Sequence, residues 1–342
     1  MLNMMLDAWT SLALTPFATA SSDNGGDFVT HRYQGQTGSL RYKLYVPSSY
    51  VGSPLPLVLM LHGGGQDAED FALGTGMNEL AEETGCLVAY PEQSTEANWS
   101  RCWNWFDQAH HHRGRGEPAL IAGLAQQLMA DYAVDRSRVY VGGLSAGGAM
   151  AVIVGRTYPE LFAAVGCHSG LAHGSATDQY AAAQVMRDGA AAPALAGPAS
   201  SPPVIVFHGD QDFTVHPNNG AGVVRQSIDC HMAQAAHAAQ TPSVSEETGE
   251  TAGRGFVRQV YKAHTGRVLA EHWIVGGVGH AWCGGKRRGS YTEAGGPDAS
   301  REMLRFFLQQ RLPAKASVKR AQRQAADDAG RAQEALAAGH DH

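Results

Sequence analysis

From about residue 40 onward, short runs of Val, Leu and Ile alternate with stretches of helical periodicity, and no other feature constrains the chain so strongly. Strands buried on both faces read as continuous apolar runs, and the helices that connect them cover both faces of a mostly parallel sheet. Strands are expected at residues 40–46, 57–62, 87–90, 139–142, 164–168, 204–208, 257–262 and 271–275. Helices are expected at 69–84, 119–132, 146–157, 178–187, 220–238 and 299–310, the last opened by Pro297-Asp298. The Ala-, Gly- and Pro-rich 189–203 and the polar 241–255 read as surface loops. One α/β domain over 38–311 follows, with an N-terminal segment at 1–37 and a polar tail at 312–342 that has too little apolar surface to bury a face.

Composition narrows the function classes. Charged residues make up 17% of the chain and the formal net charge is −6, which leaves no basic field suited to nucleic acid. No run of 18 apolar residues occurs, so no membrane-spanning helix and no integral membrane association are expected. Apolar Leu12–Phe17 followed by Ala18-Thr19-Ala20 has the ending of a signal peptide, but residues 1–8 contain Asp7 and no Lys or Arg. The five cysteines show no metal-ligand spacing, and their odd number does not define a disulfide framework. His110-His111-His112, followed by Arg113 and Arg115, has no carboxylate or thiol partner at ligand spacing and reads as a solvated loop; no metal is expected.

The chemistry begins at Gly143-Leu144-Ser145-Ala146-Gly147, directly after an expected strand and directly before an expected helix. A sharp strand-to-helix turn there would lift the Ser145 hydroxyl above the sheet, with glycines where a Cβ would clash. An acid and a histidine should then follow, each on a loop after a later strand. His208-Gly209-Asp210-Gln211-Asp212 follows one such run and Gly276-Gly277-Val278-Gly279-His280 another. His280 is the candidate base. Asp212 is the favoured acid, and Asp210, two residues away, is expected to cap a turn. Negative charge developing on a tetrahedral intermediate needs two backbone donors, and Ala146 and the glycine loop Leu61-His62-Gly63-Gly64-Gly65-Gln66 are placed to supply them. Acyl transfer by such a set needs no cofactor.

The segments L-H-G-G-G-Q (61–66), C-W-N-W-F (102–106), G-E-P-A-L-I-A-G (116–123), G-L-S-A-G-G (143–148), H-G-D-x-D (208–212), G-H-A-W (279–282) and G-P-D-A-S-R-E-M-L-R-F-F (296–307) resemble the polyhydroxybutyrate depolymerase family of esterases over roughly residues 38–311. That family is similar to the feruloyl and acetylxylan esterases of carbohydrate esterase family 1. The resemblance implies an α/β-hydrolase fold, catalysis by Ser145, Asp212 and His280, and oxyanion donors at Gly64 and Ala146, with Gly65 the close alternative to Gly64. The substrate it implies is an ester, most directly a 3-hydroxyalkanoate oligomer or polymer, with feruloyl or acetylxylan esters as the alternative. A non-catalytic polymer- or carbohydrate-binding protein would keep the same fold. An extracellular location is implied, with a cytoplasmic one as the alternative. Trp103, Trp105 and Trp282 either stack a substrate group at the mouth of the site or pin their loops to the core. Cys102 and Cys283 border site loops, and a disulfide between them is expected only if the protein is exported.

Overall fold

Leu57, Leu59 and Leu61 pack on one side of a strand whose Val58 and Met60 pack on the other. The same alternation recurs at Val139/Tyr140/Val141 and at Val204/Ile205/Val206/Phe207. Side chains on a strand point alternately to opposite faces, so these apolar runs build two cores, one on each side of a single sheet. The computed structural model describes residues 25–189, 201–234 and 241–313.

The strands are β1 (Asp27–Gly35), β2 (Gly38–Val46), β3 (Leu55–Leu61), β4 (Leu87–Glu92), β5 (Val134–Leu144), β6 (Ala164–His168), β7 (Val204–Gly209), β8 (Ser243–Thr251), β9 (Arg254–Lys262) and β10 (Val268–Val275). They form one sheet in the order β1-β2-β4-β3-β5-β6-β7-β10-β9-β8. Pairing is parallel from β4 through β10 and antiparallel at both edges. The helices are α1 (Ala68–Thr75), α2 (Met77–Thr84), α3 (Gly116–Asp131), α4 (Ala146–Thr157), α5 (Gln179–Asp188), α6 (Asn218–Gln234) and α7 (Ala299–Leu308). One core takes Ile121 and Leu124 of α3, Met150 and Ile153 of α4 and Val223 of α6; the other takes Phe71 of α1, Leu80 of α2 and Phe307 of α7. Each such side chain contributes about 1.5–3 kcal/mol by leaving water. The chain moves from β3 to β4 on one side and to β5 on the other. This reversal opens a crevice at the carboxyl ends of these strands, where ligands of open α/β sheets bind.

Several expectations change. The helix expected at 69–84 is two helices, because Gly76 adopts φ 62°, closes α1 and turns the chain into α2. The loop expected at 241–255 is a β-hairpin. Ala252 (φ 47°) and Gly253 (φ 75°) make its two-residue turn, and Gln259–Glu246 and Arg258–Glu247 pairs link its strands. All of β8 is exposed, so it carries no apolar alternation to betray it. Residues 27–35 of the expected N-terminal segment are an edge strand of the sheet, which moves the start of the fold to Asp27 or earlier. Residues 1–20, most of 189–203 and the tail beyond Pro313 lie outside the described residues.

Candidate active site

Ser145 follows β5 directly and is the N-cap residue of α4, at φ 55° and ψ −118°. A non-glycine residue there is strained by about 1–3 kcal/mol and persists only where its surroundings hold it. Here the Ser145 N–H donates to His168 O at 2.8 Å and the Ser145 carbonyl accepts from Ala149 N–H at 2.9 Å. Two glycines make the turn possible. A Cβ on Gly143 would lie 2.5 Å from Leu61 O, and one on Gly147 2.1 Å from the same atom; both meet backbone that cannot yield.

His280 follows β10 and Asp212 follows β7, two strands that pair in parallel and bring their loops together. His280 Nδ1 lies 2.7 Å from Asp212 Oδ2. A carboxylate only accepts here, so Nδ1 carries the proton and Nε2 presents its lone pair. Asp212 Oδ1 accepts from Thr214 N–H at 3.0 Å and Val215 N–H at 2.8 Å. Burial would raise the Asp212 pKa, but hydrogen bonds from His208, His280 and Val215 hold the carboxyl well below the usual carboxylate range. Asp210 is exposed, and its Oδ1 accepts from Gly277 N–H at 2.7 Å, capping the turn that leads to His280.

The glycine loop follows β3, beside the Ser145 turn. Gly63 N–H donates to Gln66 Oε1 at 2.9 Å and Gly65 N–H to Ser100 O at 2.8 Å. Gly64 N–H has no acceptor among the described residues, which separates it from Gly65. Ala146, first in α4, has no intrahelical acceptor for its N–H either. Both residues line the same cleft, of about 1030 Å³, as Ser145 and His280. The helix N-terminus adds a favourable field for an anion held there.

Trp105, Phe106, Trp99 and Tyr291 also line this cleft. Trp105 is largely buried and packs edge-to-face on Phe106, whereas Trp99 is 87% exposed at the rim. Of the two readings open for Trp103 and Trp282, substrate contact or loop brace, their burial outside the cleft lining fits the brace. Trp103 is fully buried, packs on His62 and donates to its carbonyl at 3.1 Å. Trp282 is buried against Phe71 and His168 and donates to Ser300 Oγ at 3.0 Å. The Cys102 and Cys283 thiols are unpaired, and burial pushes both up to about 12. Cys102 lines the cleft as a neutral thiol.

Three motif residues without an expected role prove to be supports. His208 Nε2–H donates to Val215 O at 2.7 Å and lies 3.4 Å from Asp212 Oδ2, so one carboxylate oxygen faces two imidazoles. Gln66 ties the glycine loop to Asp70 and to Ser290, the neighbour of Tyr291. Glu117, buried at the start of α3, accepts from Asn104 N–H at 2.8 Å and Asn104 Nδ2 at 2.6 Å and fixes the Trp103–Trp105 loop. The signal in each case is a polar residue inside an otherwise apolar or glycine-rich motif.

A mostly parallel sheet, a central strand turning sharply through a serine into a helix, and a His–Asp pair on two later loops define the α/β-hydrolase class. Within it the chain belongs to the polyhydroxybutyrate depolymerase family of esterases: residues 40–250 match the family described as Esterase PHB depolymerase. It is 33% identical over 254 residues to poly(3-hydroxyalkanoate) depolymerase C of Paucimonas lemoignei, an alignment that covers 71% of this chain and 58% of that one. It is 36% identical over 136 residues to feruloyl esterase B of Neurospora crassa, covering 40% and 45%. The chain thus spans about half the length of these relatives. An acetyl xylan esterase from Aspergillus awamori shares the fold, with 21% identity, a TM-score of 0.56 and coverage of 74% of this chain and 94% of that one.

Proposed function

We propose that this chain is a serine esterase that cleaves carboxylic esters, foremost 3-hydroxyalkanoate oligoesters or polyesters, through an acyl-serine intermediate. The observation that carries the reading is the 2.7 Å His280–Asp212 hydrogen bond beside a strained Ser145 that shares a cleft with His280. Ser145 Oγ attacks the ester carbonyl while His280 Nε2 takes its proton. Asp212 keeps the imidazole in the required tautomer and stabilises the imidazolium. The tetrahedral oxyanion lies between the N–H groups of Gly64 and Ala146, and each such donor contributes about 10²–10³ in rate. Collapse expels the alcohol, protonated by His280. A water molecule, activated by the same ring, then attacks the acyl-serine, and the acid and free Ser145 are released.

The aromatic lining favours one alternative within the same mechanism, a feruloyl ester whose ring stacks among Trp99, Trp105 and Tyr291. Initial rates on 3-hydroxybutyrate oligomers, amorphous polyhydroxybutyrate, methyl ferulate, acetylated xylan and p-nitrophenyl butyrate separate these classes. Wild type should turn over the hydroxybutyrate substrates best and Ser145→Ala none of them. A ferulate or acetyl preference moves the substrate class, and inactivity on all five means a non-catalytic binding protein. An extracellular location suits a polymer too large to cross a membrane, and the share of esterase activity in the medium relative to the cells tests it.

A further inference from the structure

The side chains lining the Ser145 cleft include no Asp, Glu, Lys or Arg among the described residues. Charged neighbours in the chain turn elsewhere. Arg101 stands between Ser100 and Cys102, both in the cleft, yet at φ 50° it directs its guanidinium into a separate, charged pocket, 3.7 Å from Asp67. Arg187, next to the lining residue Met186, pairs with Asp188 at 2.9 Å. The other charged neighbours are anions: Asp107, next to Phe106, accepts from Ala109 N–H at 2.8 Å, Asp178 caps α5 beside Gln179, and Asp212, two residues before Thr214, is held by His280. Residues 190–200, which follow α5, contain no charged residue.

A carboxylate entering such a cleft loses water and gains no cation. We infer that the cleft selects uncharged esters, so that internal ester bonds of an oligoester are cleaved in preference to the bond next to its free carboxylate terminus. This rests on the esterase reading and adds the mode of attack. It also implies that the product acid, which acquires its charge on release, meets no Lys or Arg side chain in the cleft to retain it.

The test uses the 3-hydroxybutyrate dimer as the free acid and as its N-methylamide, which share one ester bond and differ in charge. At pH 8 the amide should show at least about a tenfold higher kcat/KM, mostly through KM, and the ratio should persist at 0.5 M NaCl, where the Debye length is only a few ångströms. Gln179→Arg, an exposed change at the rim, should narrow the ratio at least about threefold by giving the carboxylate a partner. Equal rates overturn the inference. So does a ratio that collapses in salt, which would assign the selectivity to the net charge of −6, or one that Gln179→Arg leaves unchanged. Turnover of p-nitrophenyl butyrate alongside any of these results leaves the esterase reading intact; no turnover of that ester overturns both.

Discussion

Replacing Asp212 by Asn removes one charge and almost no volume, and the surrounding hydrogen bonds dictate which way the new amide turns. Asp212 Oδ1 accepts two backbone N–H groups, from Thr214 at 3.0 Å and Val215 at 2.8 Å. Those donors require an oxygen, so the Asn NH₂ must occupy the position of Oδ2, facing His280 Nδ1 at 2.7 Å and His208 Nε2 at 3.4 Å. A donor opposite Nδ1 forces the His280 proton onto Nε2, the nitrogen that in the proposed mechanism accepts the Ser145 proton. The expected loss in kcat/KM is about 10³–10⁴, or about 4–5.5 kcal/mol of barrier. Asp210→Asn keeps an oxygen for the Gly277 N–H and should stay within about threefold of wild type, since surface changes of this kind perturb little. Steady-state hydrolysis of p-nitrophenyl butyrate, with thermal melting as the folding control, measures both. An Asp212→Asn loss smaller than tenfold, or a larger loss for Asp210→Asn, would refute the tautomer argument.

Three further outcomes are expected. Ser145→Gly relieves the φ 55° strain and should stabilise the fold by about 1 kcal/mol in urea denaturation while abolishing turnover; a lower midpoint would deny that the turn stores strain. Burial pushes His62, His231 and His272 down to about 4 and His173 to about 3. Because the unfolded rings protonate first, the stability they contribute is complete above pH 6.5 and is lost as pH falls toward 4; the depressed Asp212 pKa puts its own loss below this window. The urea midpoint should drop from pH 7 to pH 5, and a flat profile contradicts the assignment. Trp103→Ala should cost about 3–5 kcal/mol of stability, whereas Trp99→Ala should leave stability within about 0.5 kcal/mol and raise KM for oligoesters; equal effects on melting would mean that the two indoles are not divided between core and cleft.

The legible parts of the chain were those where one local rule decides. Continuous Val/Leu runs mark strands buried on both faces, and the Ser145 turn needs glycines at 143 and 147 for a reason that backbone geometry alone supplies. Order along the chain then brought Asp212 and His280 within reach, because β7 and β10 are neighbours in the sheet although α6, β8 and β9 separate them in sequence. What stayed hidden depends on tertiary context. Nothing in the composition of Ser243–Thr251 shows that it pairs with β9, since an exposed edge strand has no buried face to impose alternation. The Trp103-Asn104-Trp105 run carries two indoles two residues apart, and only the fold sends one into the core and the other to the cleft wall.

Trp282 shows why such ambiguity concentrates near a site. It sits two residues after His280, where a substrate contact is the natural reading, but its ring stacks on His168 with centroids 5.0 Å apart. Cys283 N–H donates to His168 Nε2 at 3.1 Å, which leaves the other ring nitrogen to carry the proton toward Ser169 Oγ. Burial keeps that imidazole neutral, so the pairing holds at ordinary pH. The His168 carbonyl in turn accepts the Ser145 N–H. The loop that carries His280 and the turn that carries Ser145 are therefore joined through one buried histidine, independently of any contact between Ser145 and His280 themselves. The proposed mechanism depends on alignment of Ser145 and His280 to within a fraction of an ångström, and a buried brace of this kind would hold it from outside the cleft.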